Sequence, residues 1–298
     1  MANLKEVKER IKSVTSTQQI TKAMKMVAAA KLRRAQDRIM QMRPYASKLN
    51  GIMQNISSSV DTDVIENPFA EVREVKNVLL VVVSSDRGLC GAFNSNVFKF
   101  TQKHIKAHYA GVEKSGGLHV LPVGKRSKEY FQKRGFSVVD QFADLFGHLD
   151  FTSALEASEF VQQSFIGGQY DKVDVIFNEF KNVATQILKA EAYLPIVETP
   201  PEGNQELSSS DVEYIYEPDQ EYIFKEIVPK SLNIQFYKAL LESNASEHGA
   251  RMTAMDQATD NAQELLKELK LTYNRTRQAA ITKEILEIVG GAEALSQG

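Results

Sequence analysis

The residues that could take part in chemistry are few, and the first of them form a short motif. The motif Ser85-Asp86-Arg87-Gly88-Leu89-Cys90-Gly91 follows a run of Val and Leu and precedes a helix-like segment. A glycine-rich loop between a strand and a helix is where α/β proteins bind phosphates. The motif lacks the dinucleotide-binding glycine pattern, and Gly124-Lys125 lacks the earlier glycine of a Walker loop. Because tight turns and close subunit contacts also require glycine, both interpretations stay open.

A thiol and two imidazoles are the other candidates for chemistry. Cys90 is the only cysteine, so the chain cannot form an intramolecular disulfide. A catalytic thiolate needs a base, and none of the five histidines forms a recognised pattern with Cys90, which favours a buried structural thiol. His104 and His108 have the spacing of two metal ligands on one helix, but their neighbours supply no third ligand. We therefore expect no catalytic residue, no metal site and no cofactor.

The middle of the chain is predicted to form a doubly wound α/β domain. The β-branched run Asn77–Ser85 is typical of a strand buried on both faces. Strands and helices then alternate, which predicts a mainly parallel sheet with helices on both sides. The further predicted strands are Leu118–Val123, Ser137–Phe142, Lys172–Phe180, Val183–Leu194, which could be antiparallel, and a candidate edge strand at Val212–Tyr216. Helices are predicted after Asn94, at Ser127–Lys133, and at Thr152–Ile166 with Thr152 as the N-cap.

Both ends of the chain carry long heptad seams. From Leu4 to Ile56 the seam positions alternate in steps of three and four, with a polar middle at Gln18, Thr21 and Lys25. A second seam comprises Met252, Met255, Thr259, Ala262, Leu266, Leu269, Tyr273, Thr276 and Ala280. Such long helices need partners of similar length to bury their seams. The fold class is therefore α/β plus a long antiparallel coiled coil of the N- and C-terminal helices, with the α/β domain inserted between them.

Four segments follow from this pattern. We predict an N-terminal helix over residues 1–58, a linker over 59–74, the α/β domain over 75–218 and a C-terminal helix over 219–298. The α/β domain includes an acidic loop, 198–211, which contains Ser, Pro and Gly and has no assigned role.

Charge is strongly segregated although the formal net charge is only −2. Residues 1–50 contain twelve Lys or Arg and three acidic residues, whereas residues 198–221 contain eight acidic residues and no Lys or Arg. The basic stretch Lys31–Arg43 predicts an anionic partner or a solvated face. It lacks the interleaved aromatic residues of single-strand binders and any helix-turn-helix or RNA-recognition pattern. An acidic protein partner is therefore favoured over nucleic acid.

The segment Ile20–Leu32 differs from an ordinary amphipathic helix. It is apolar on nearly every side, with Met24, Met26 and Val27 off the seam. A helix that is apolar all round is normally enclosed, and one partner helix cannot cover every face. The alternative is a stretch of high helix propensity without a binding role.

Four motifs, in order along the chain, resemble the γ-subunit family of F-type ATP synthases. They are Ile20–Ala28, Ser85–Gly91, Ala245–Asn261 and Tyr273–Gly290, and the resemblance covers essentially the whole chain. It implies a central rotor shaft without chemistry of its own, which couples rotation of the membrane-embedded c-ring to conformational cycling of the catalytic β subunits. It also implies that the coiled coil lies inside a ring of α and β subunits, with the α/β domain beside the ε subunit on the c-ring. Nucleic acid and homo-oligomers are not expected.

The resemblance also implies which residues contact other subunits. The family's contact positions match Lys22, Met24, Arg251, Arg277, Gln278 and Thr282. The tip residues Ile285, Ile288, Val289, Ala292 and Leu295 would turn in an apolar bearing, and the basic stretch with Arg251 would meet an acidic loop of the β subunit. Chloroplast members carry a cysteine pair as a redox switch, which the single Cys90 excludes here.

The start of the chain bears on its location. Met-Ala-Asn-Leu-Lys-Glu has no apolar core, so neither a secretory signal nor a transit peptide is expected. A bacterial protein, peripheral on the cytoplasmic face of the plasma membrane, is therefore expected. The alternative function is a nucleotide-binding α/β enzyme with a coiled-coil dimerisation arm, and a third is a coiled coil that binds nucleic acid.

Overall fold

The computed structural model describes residues 4–59, 67–183, 185–196 and 220–296. The chain divides into two compact units, Met1–Ala29 with Arg251–Gly298, and Ala30–Ala250. The acidic loop 198–211, the candidate edge strand Val212–Tyr216, part of the predicted linker, and the side chains of Met53, Ile56 and Leu295 lie outside the described residues. The predicted division into four segments stays a prediction.

In the first unit, helix α1 (Leu4–Ser59) and helix α6 (Gln220–Ser296) pair along the predicted seams. Every predicted seam position from Leu4 to Ala28 is buried or half-buried, and so is every predicted position from Met252 to Thr276. The hydroxyl oxygens of Thr21 and Thr259 lie 2.8 Å apart, and one turn further on Lys25 forms an ion pair with Asp256. The polar middle of the seam is therefore a pair of polar contacts that align the two helices antiparallel.

The last predicted seam position is wrong. Ala280 is exposed, as is every residue of 277–293. In the two polar contacts the residue numbers sum to 280 and 281, so this register places the start of α1 opposite Thr276. The heptad spacing continues beyond that point, but within the described unit α1 has no residues left to cover it.

The second unit is built on a five-stranded sheet with the order β3-β2-β1-β4-β5. The strands are β1 Val78–Val83, β2 Leu118–Val123, β3 Ser137–Val138, β4 Lys172–Phe180 and β5 Gln186–Leu194. Neighbours are parallel except β4 and β5, which are antiparallel. The helices are α2 Phe93–His108, α3 Ala110–Ser115, α4 Lys125–Gln132 and α5 Phe151–Ile166, with a short 3-10 helix at Leu145–His148. The predicted fold class is confirmed.

Apolar layers cover both faces of this sheet. On one face Leu80 and Val82 pack with Val97 and Ile105 of α2 and Phe131 of α4, all of them buried. On the other face the α6 residue Phe236 lies beside Tyr193 of β5, with ring centroids 5.7 Å apart. The six residues of β1 are completely buried, as expected for a central strand of a doubly wound sheet.

Two local predictions need correction, and one helix was missed. The strand predicted at Ser137–Phe142 is only two residues long, because the chain turns at Asp140, whose carbonyl oxygen accepts the N–H of Ala143 at 3.1 Å. The N-cap of α5 is Asp150 rather than Thr152, because the Asp150 carboxylate accepts the N–H of Ser153 at 2.7 Å. Helix α3 was not predicted.

Leu269 tests the pairing in the first unit. It is 9% exposed on the seam, whereas Leu271 on the same helix is 59% exposed. We expect Leu269→Asp to destabilise the paired helices by about 3 kcal/mol or more, because a large apolar side chain is lost and a charge is buried. Thermal unfolding of the full chain, followed by far-ultraviolet circular dichroism, measures the effect.

Leu271→Asp provides the matched control. It should change stability by no more than about 0.5 kcal/mol, as is usual at exposed positions. Equal losses of stability in the two variants would contradict the seam.

Candidate subunit interface

The loop motif after β1 is held together by its own side chains. The Ser85 hydroxyl donates to the carbonyl oxygen of Arg87 at 2.7 Å, and the Ser85 N–H donates to Asn94 Oδ1 at 3.1 Å. The Asn94 amide also lies 3.3 Å from the sulfur of Cys90, which is 1% exposed. Leu89 has a positive φ of 65° and is 66% exposed, so this network holds an apolar side chain outward.

The N-terminus of α4 is the place where a phosphate would bind, and loop residues occupy it. The Asp86 carboxylate accepts the N–H of Lys125 at 3.1 Å, and the Ser84 hydroxyl accepts the N–H of Ser127 at 2.9 Å. Burial raises the pKa of the Asp86 carboxyl, the N–H of Lys125 opposes this, and the negative charge of Glu247 adds to the rise. The helix N–H groups that could bind an anion therefore already have acceptors from the protein.

Gly124 makes this arrangement possible. An ideal Cβ atom at this position would lie 2.1 Å from the carbonyl oxygen of Ser84, and the φ of Gly124 is 111°. Only glycine fits such a close approach in that conformation. The Gly124-Lys125 pair thus serves the contact between two loops of the sheet rather than a Walker-type phosphate loop.

The crevice between β1 and β4 is also filled from within the chain. In a doubly wound sheet, ligands bind at the carboxyl ends of the strands where the strand order reverses, which is here between β1 and β4. The buried Ser246 of α6 donates to the carbonyl oxygen of Asn178 at 3.2 Å. Gly249 follows, and an ideal Cβ there would touch Phe180 at 3.5 Å. Helix α6 therefore packs against the end of β4 at the position used by nucleotides in other α/β proteins.

The histidine pair considered as a metal site has a structural role instead. His104 Nε2 lies 2.7 Å from Asp174 Oδ2, and the Tyr109 hydroxyl donates to the same oxygen at 2.6 Å. Burial raises the pKa of the Tyr109 hydroxyl, and its hydrogen bond to Asp174 acts in the same direction. The ring of His108 is tilted against that of His104, with centroids 4.7 Å apart. Among the described residues, no group of three His, Cys, Asp or Glu side chains could hold a metal ion.

The first unit exposes large apolar side chains on both of its helices. On α1, Ile20, Met26 and Val27 are 56%, 62% and 57% exposed. On α6, the segment beyond the paired region exposes large apolar side chains: Ile281, Ile285, Leu286, Ile288 and Val289. Groups of exposed apolar side chains on a soluble protein often mark interaction sites.

Comparisons with known proteins identify the family. Residues 3–295 match the family model described as ATP synthase. The ATP synthase gamma chain of Cytophaga hutchinsonii is 58% identical, with 99% of this chain and all of that protein covered. The chain belongs to the ATP synthase gamma chain family.

Solved structures agree with this membership. A chain in a cryo-EM structure of the Tetrahymena thermophila mitochondrial ATP synthase, central stalk and c-ring, is 26% identical with a TM-score of 0.57, and the match covers 80% of this chain and 99% of that one. A chain of the Euglena gracilis mitochondrial ATP synthase, which is 20% identical with a TM-score of 0.64, shares the fold over 98% of this chain and 94% of that one.

The resemblance inferred from the four motifs is therefore confirmed. Gamma chains are non-catalytic subunits of a membrane-associated ATP synthase, and the expected assignment as such a subunit is confirmed with the family. No helix among the described residues is long and apolar enough to cross a bilayer.

The predicted contact residues form two groups in the first unit. Lys22 is exposed and Met24 half-buried on α1, and the antiparallel register brings both within a few turns of the half-buried Arg251 on α6. Arg277, Gln278 and Thr282 are exposed beyond the paired region. Residue 256 of α6 lies opposite Met24, and these three residues follow it by about 20 to 26 positions. At the rise of an α-helix this is roughly 30 to 40 Å. The structure therefore does not bring the six residues together, and their role as subunit contacts stays a prediction.

Sequence reasoning missed several residues of these sites. The prediction for the apolar tip omitted Ile281 and Leu286, which are 49% and 65% exposed, although apolar residues at i, i+4 and i+5 were visible in the sequence. Ser84 and Ser127, which close the phosphate position, gave no sequence signal because they are 43 residues apart.

Nucleotide titration distinguishes a gamma chain from the alternative α/β enzyme. We expect the isolated full chain to bind neither ATP nor NAD at concentrations up to about 1 mM, a weak-binding limit, because the N-terminus of α4 and the β1–β4 crevice are filled. Isothermal titration calorimetry measures this directly. Saturable binding that Asp86→Ala strengthens would show that the carboxylate only blocks a real nucleotide site.

Proposed function

We propose that this chain is the central rotor shaft of a proton-translocating F-type ATP synthase. The shaft does no chemistry. It is asymmetric, so each orientation stabilises a different conformation in each catalytic β subunit, and rotation of the c-ring cycles each β subunit through substrate binding, ATP formation and release. In free-energy terms the shaft acts as a ligand with different affinities for the β-subunit states.

The single observation that carries this proposal is the uncovered apolar surface of the first unit. Large apolar side chains are exposed on both helices of this unit: Ile20, Met26 and Val27 on α1, and Ile281, Ile285, Leu286, Ile288 and Val289 on α6. Apolar contacts are non-directional, so they cost little to exchange as one surface moves over another. A shaft that must be enclosed and still turn needs a surface of this kind.

The basic face of α1 supplies a second contact of different character. Lys31, Arg33, Arg34, Arg38 and Arg43 are exposed in the second unit, and Arg38 donates to the carbonyl oxygen of Leu149. The electrostatic attraction of exposed positive charges for anionic groups extends over several ångströms and is weakened by salt. We propose that this face, with Arg251, meets the acidic loop of the β subunit.

The remaining partners follow from the same role. The paired helices lie in the ring of α and β subunits, where Lys22, Met24, Arg277, Gln278 and Thr282 contact the ring. The α/β domain lies beside the ε subunit on the c-ring, and its loop Asp86–Gly91 displays Leu89 as a contact surface. The complex is bacterial and peripheral on the cytoplasmic face of the plasma membrane.

A wash of native membranes at low ionic strength tests the proposal. The released complex should contain one copy of this chain with several copies of two larger nucleotide-binding subunits, and it should hydrolyse ATP. Release of the chain alone, or its recovery from the soluble fraction with DNA, would overturn the proposal.

Met26 offers a test of the apolar band, by which we mean the exposed residues Ile20, Met26 and Val27 of α1. Because its side chain is 62% exposed, Met26→Lys should change the stability of the isolated chain by no more than about 0.5 kcal/mol. In the assembled complex the new charge would enter an apolar enclosure, so protons pumped per ATP hydrolysed should fall while ATP hydrolysis continues. Proton pumping and ATP hydrolysis in membrane vesicles measure the two activities.

Gln41→Lys adds the same charge to the basic part of α1, at an exposed position. It should leave coupling unchanged. If both variants reduced coupling equally, the position of the added charge would not matter, and the apolar band would have no specific role in coupling.

A further inference from the structure

A groove in the second unit is unexplained by the rotor function. It lies where α1, α6 and the two strands β4 and β5 come together, and its volume is about 490 Å³. Sites for small molecules in proteins usually enclose about 300–1,000 Å³. All of its lining residues belong to the same compact unit.

The floor of the groove is apolar. Ile39 of α1, Phe177 of β4, and Ile234 and Ala239 of α6 line it, and each is no more than 7% exposed. Met42 adds a flexible side chain from α1. Methionine side chains adapt readily to ligands of different shapes. The floor can therefore accept an apolar group such as an aromatic ring.

Three of the charged groups that line the groove are carboxylates, and two, Arg43 and Lys238, are cationic. Glu179, Glu191 and Glu242 all line the groove. The ammonium group of Lys189 lies 2.9 Å from the carboxylate of Glu179 and 3.9 Å from that of Glu191, so it forms ion pairs with both. Glu242 has a weaker partner, since its carboxylate is 4.0 Å from the ammonium of Lys238.

Glu242 is the carboxylate least accessible to water. Its side chain is 11% exposed, compared with 31% for Glu179 and 41% for Glu191. Burial raises the pKa of the Glu242 carboxyl, and the charges of Glu179 and Glu191 add to the rise, whereas Lys238 and Lys189 oppose it. A buried carboxylate with little compensation is stabilised by any cation that comes within contact distance.

We propose that this groove binds a small organic cation that carries an apolar group. The ammonium or amidinium group contacts Glu242, with Glu179 and Glu191 nearby, and the apolar group lies on Ile39, Phe177 and Ile234. The two further cations of the lining, Arg43 and Lys238, are exposed and hydrated, so they compete weakly for the buried carboxylate. An occupant contacts both long helices and the sheet at once, and so stabilises the second unit.

Three probes of similar shape distinguish the contribution of charge to binding from that of apolar contact. Phenylbutylammonium is the cation, phenylbutanol the neutral analogue and phenylbutyrate the anion. Titrated into the purified full chain by calorimetry, the cation should bind at least about tenfold more tightly than the alcohol, because only the cation compensates the buried carboxylate. The anion should bind more weakly than either.

A matched pair of variants locates the site. Glu242→Gln should reduce the affinity for the cation about tenfold and leave that for the alcohol unchanged. Glu226→Gln is the control, because Glu226 forms an ion pair with Lys230 that has the same i,i+4 spacing on α6 but is exposed. It should bind all three probes like the unmodified chain. Ala46→Phe, which fills the half-buried α1 side of the groove, should weaken the cation and the alcohol alike.

The pH dependence supplies an independent readout. Cation binding requires ionised Glu242, so the affinity for the cation should fall as the pH is lowered through the raised pKa of Glu242. The other charged groups that face Glu242 are Glu179, Glu191, Lys189, Lys238 and Arg43. The alcohol should show no such fall, and Glu242→Gln should flatten the profile of the cation. Equal affinities for the cation and the alcohol, tighter binding of the anion, or unchanged cation binding in both Glu242→Gln and Ala46→Phe would each overturn the proposal.

Discussion

The antiparallel pairing of α1 with α6 is the constraint on which the first unit depends. Neither helix can bury its seam alone, and the contacts Thr21–Thr259 and Lys25–Asp256 select one register from those that the heptad spacing allows. That register decides where the pairing ends, at Thr276, and leaves 277–293 exposed. The free apolar segment is therefore a consequence of the alignment rather than a separate module.

The same helix α6 also changes what the α/β domain can do. A doubly wound sheet brings its strand ends together at a crevice, and this chain fills that crevice with Ser246 and the residues around it. At the start of α4, Asp86 and Ser84 accept hydrogen bonds from the helix N–H groups, so this second possible ligand position is also occupied. A fold that commonly binds nucleotides therefore serves here as a structural element attached to a long helix. This is consistent with the absence of nucleotide-binding motifs from an otherwise typical α/β sequence.

Local signals predicted much of this structure. The strands Leu118–Val123 and Lys172–Phe180 were predicted with their observed bounds, because short segments that contain several apolar residues and lie between turn-forming residues can be recognised in the sequence. Most seam positions were also correct, since heptad spacing is a local property. The end of the seam at Thr276 depends on where α1 begins, and the contact of His104 with Asp174 joins residues 70 apart. No periodicity encodes contacts of that kind, so the filling of the crevice and the groove at Glu242 became visible only in three dimensions.

The distribution of polar contacts fits a part that transmits force. Inside the second unit, buried hydrogen bonds join α5 to its neighbours: Gln162 donates to Asn233 of α6 at 2.7 Å, and Ser158 lies 2.8 Å from the Tyr193 hydroxyl of β5. Hydrogen bonds are directional and costly to leave unmade when buried, so they resist sliding of α6 against the domain. The first unit instead exposes large apolar side chains, and apolar contacts are non-directional. Rigid attachment within the subunit and low resistance at its surface are thus achieved by different classes of interaction, as a rotating shaft requires.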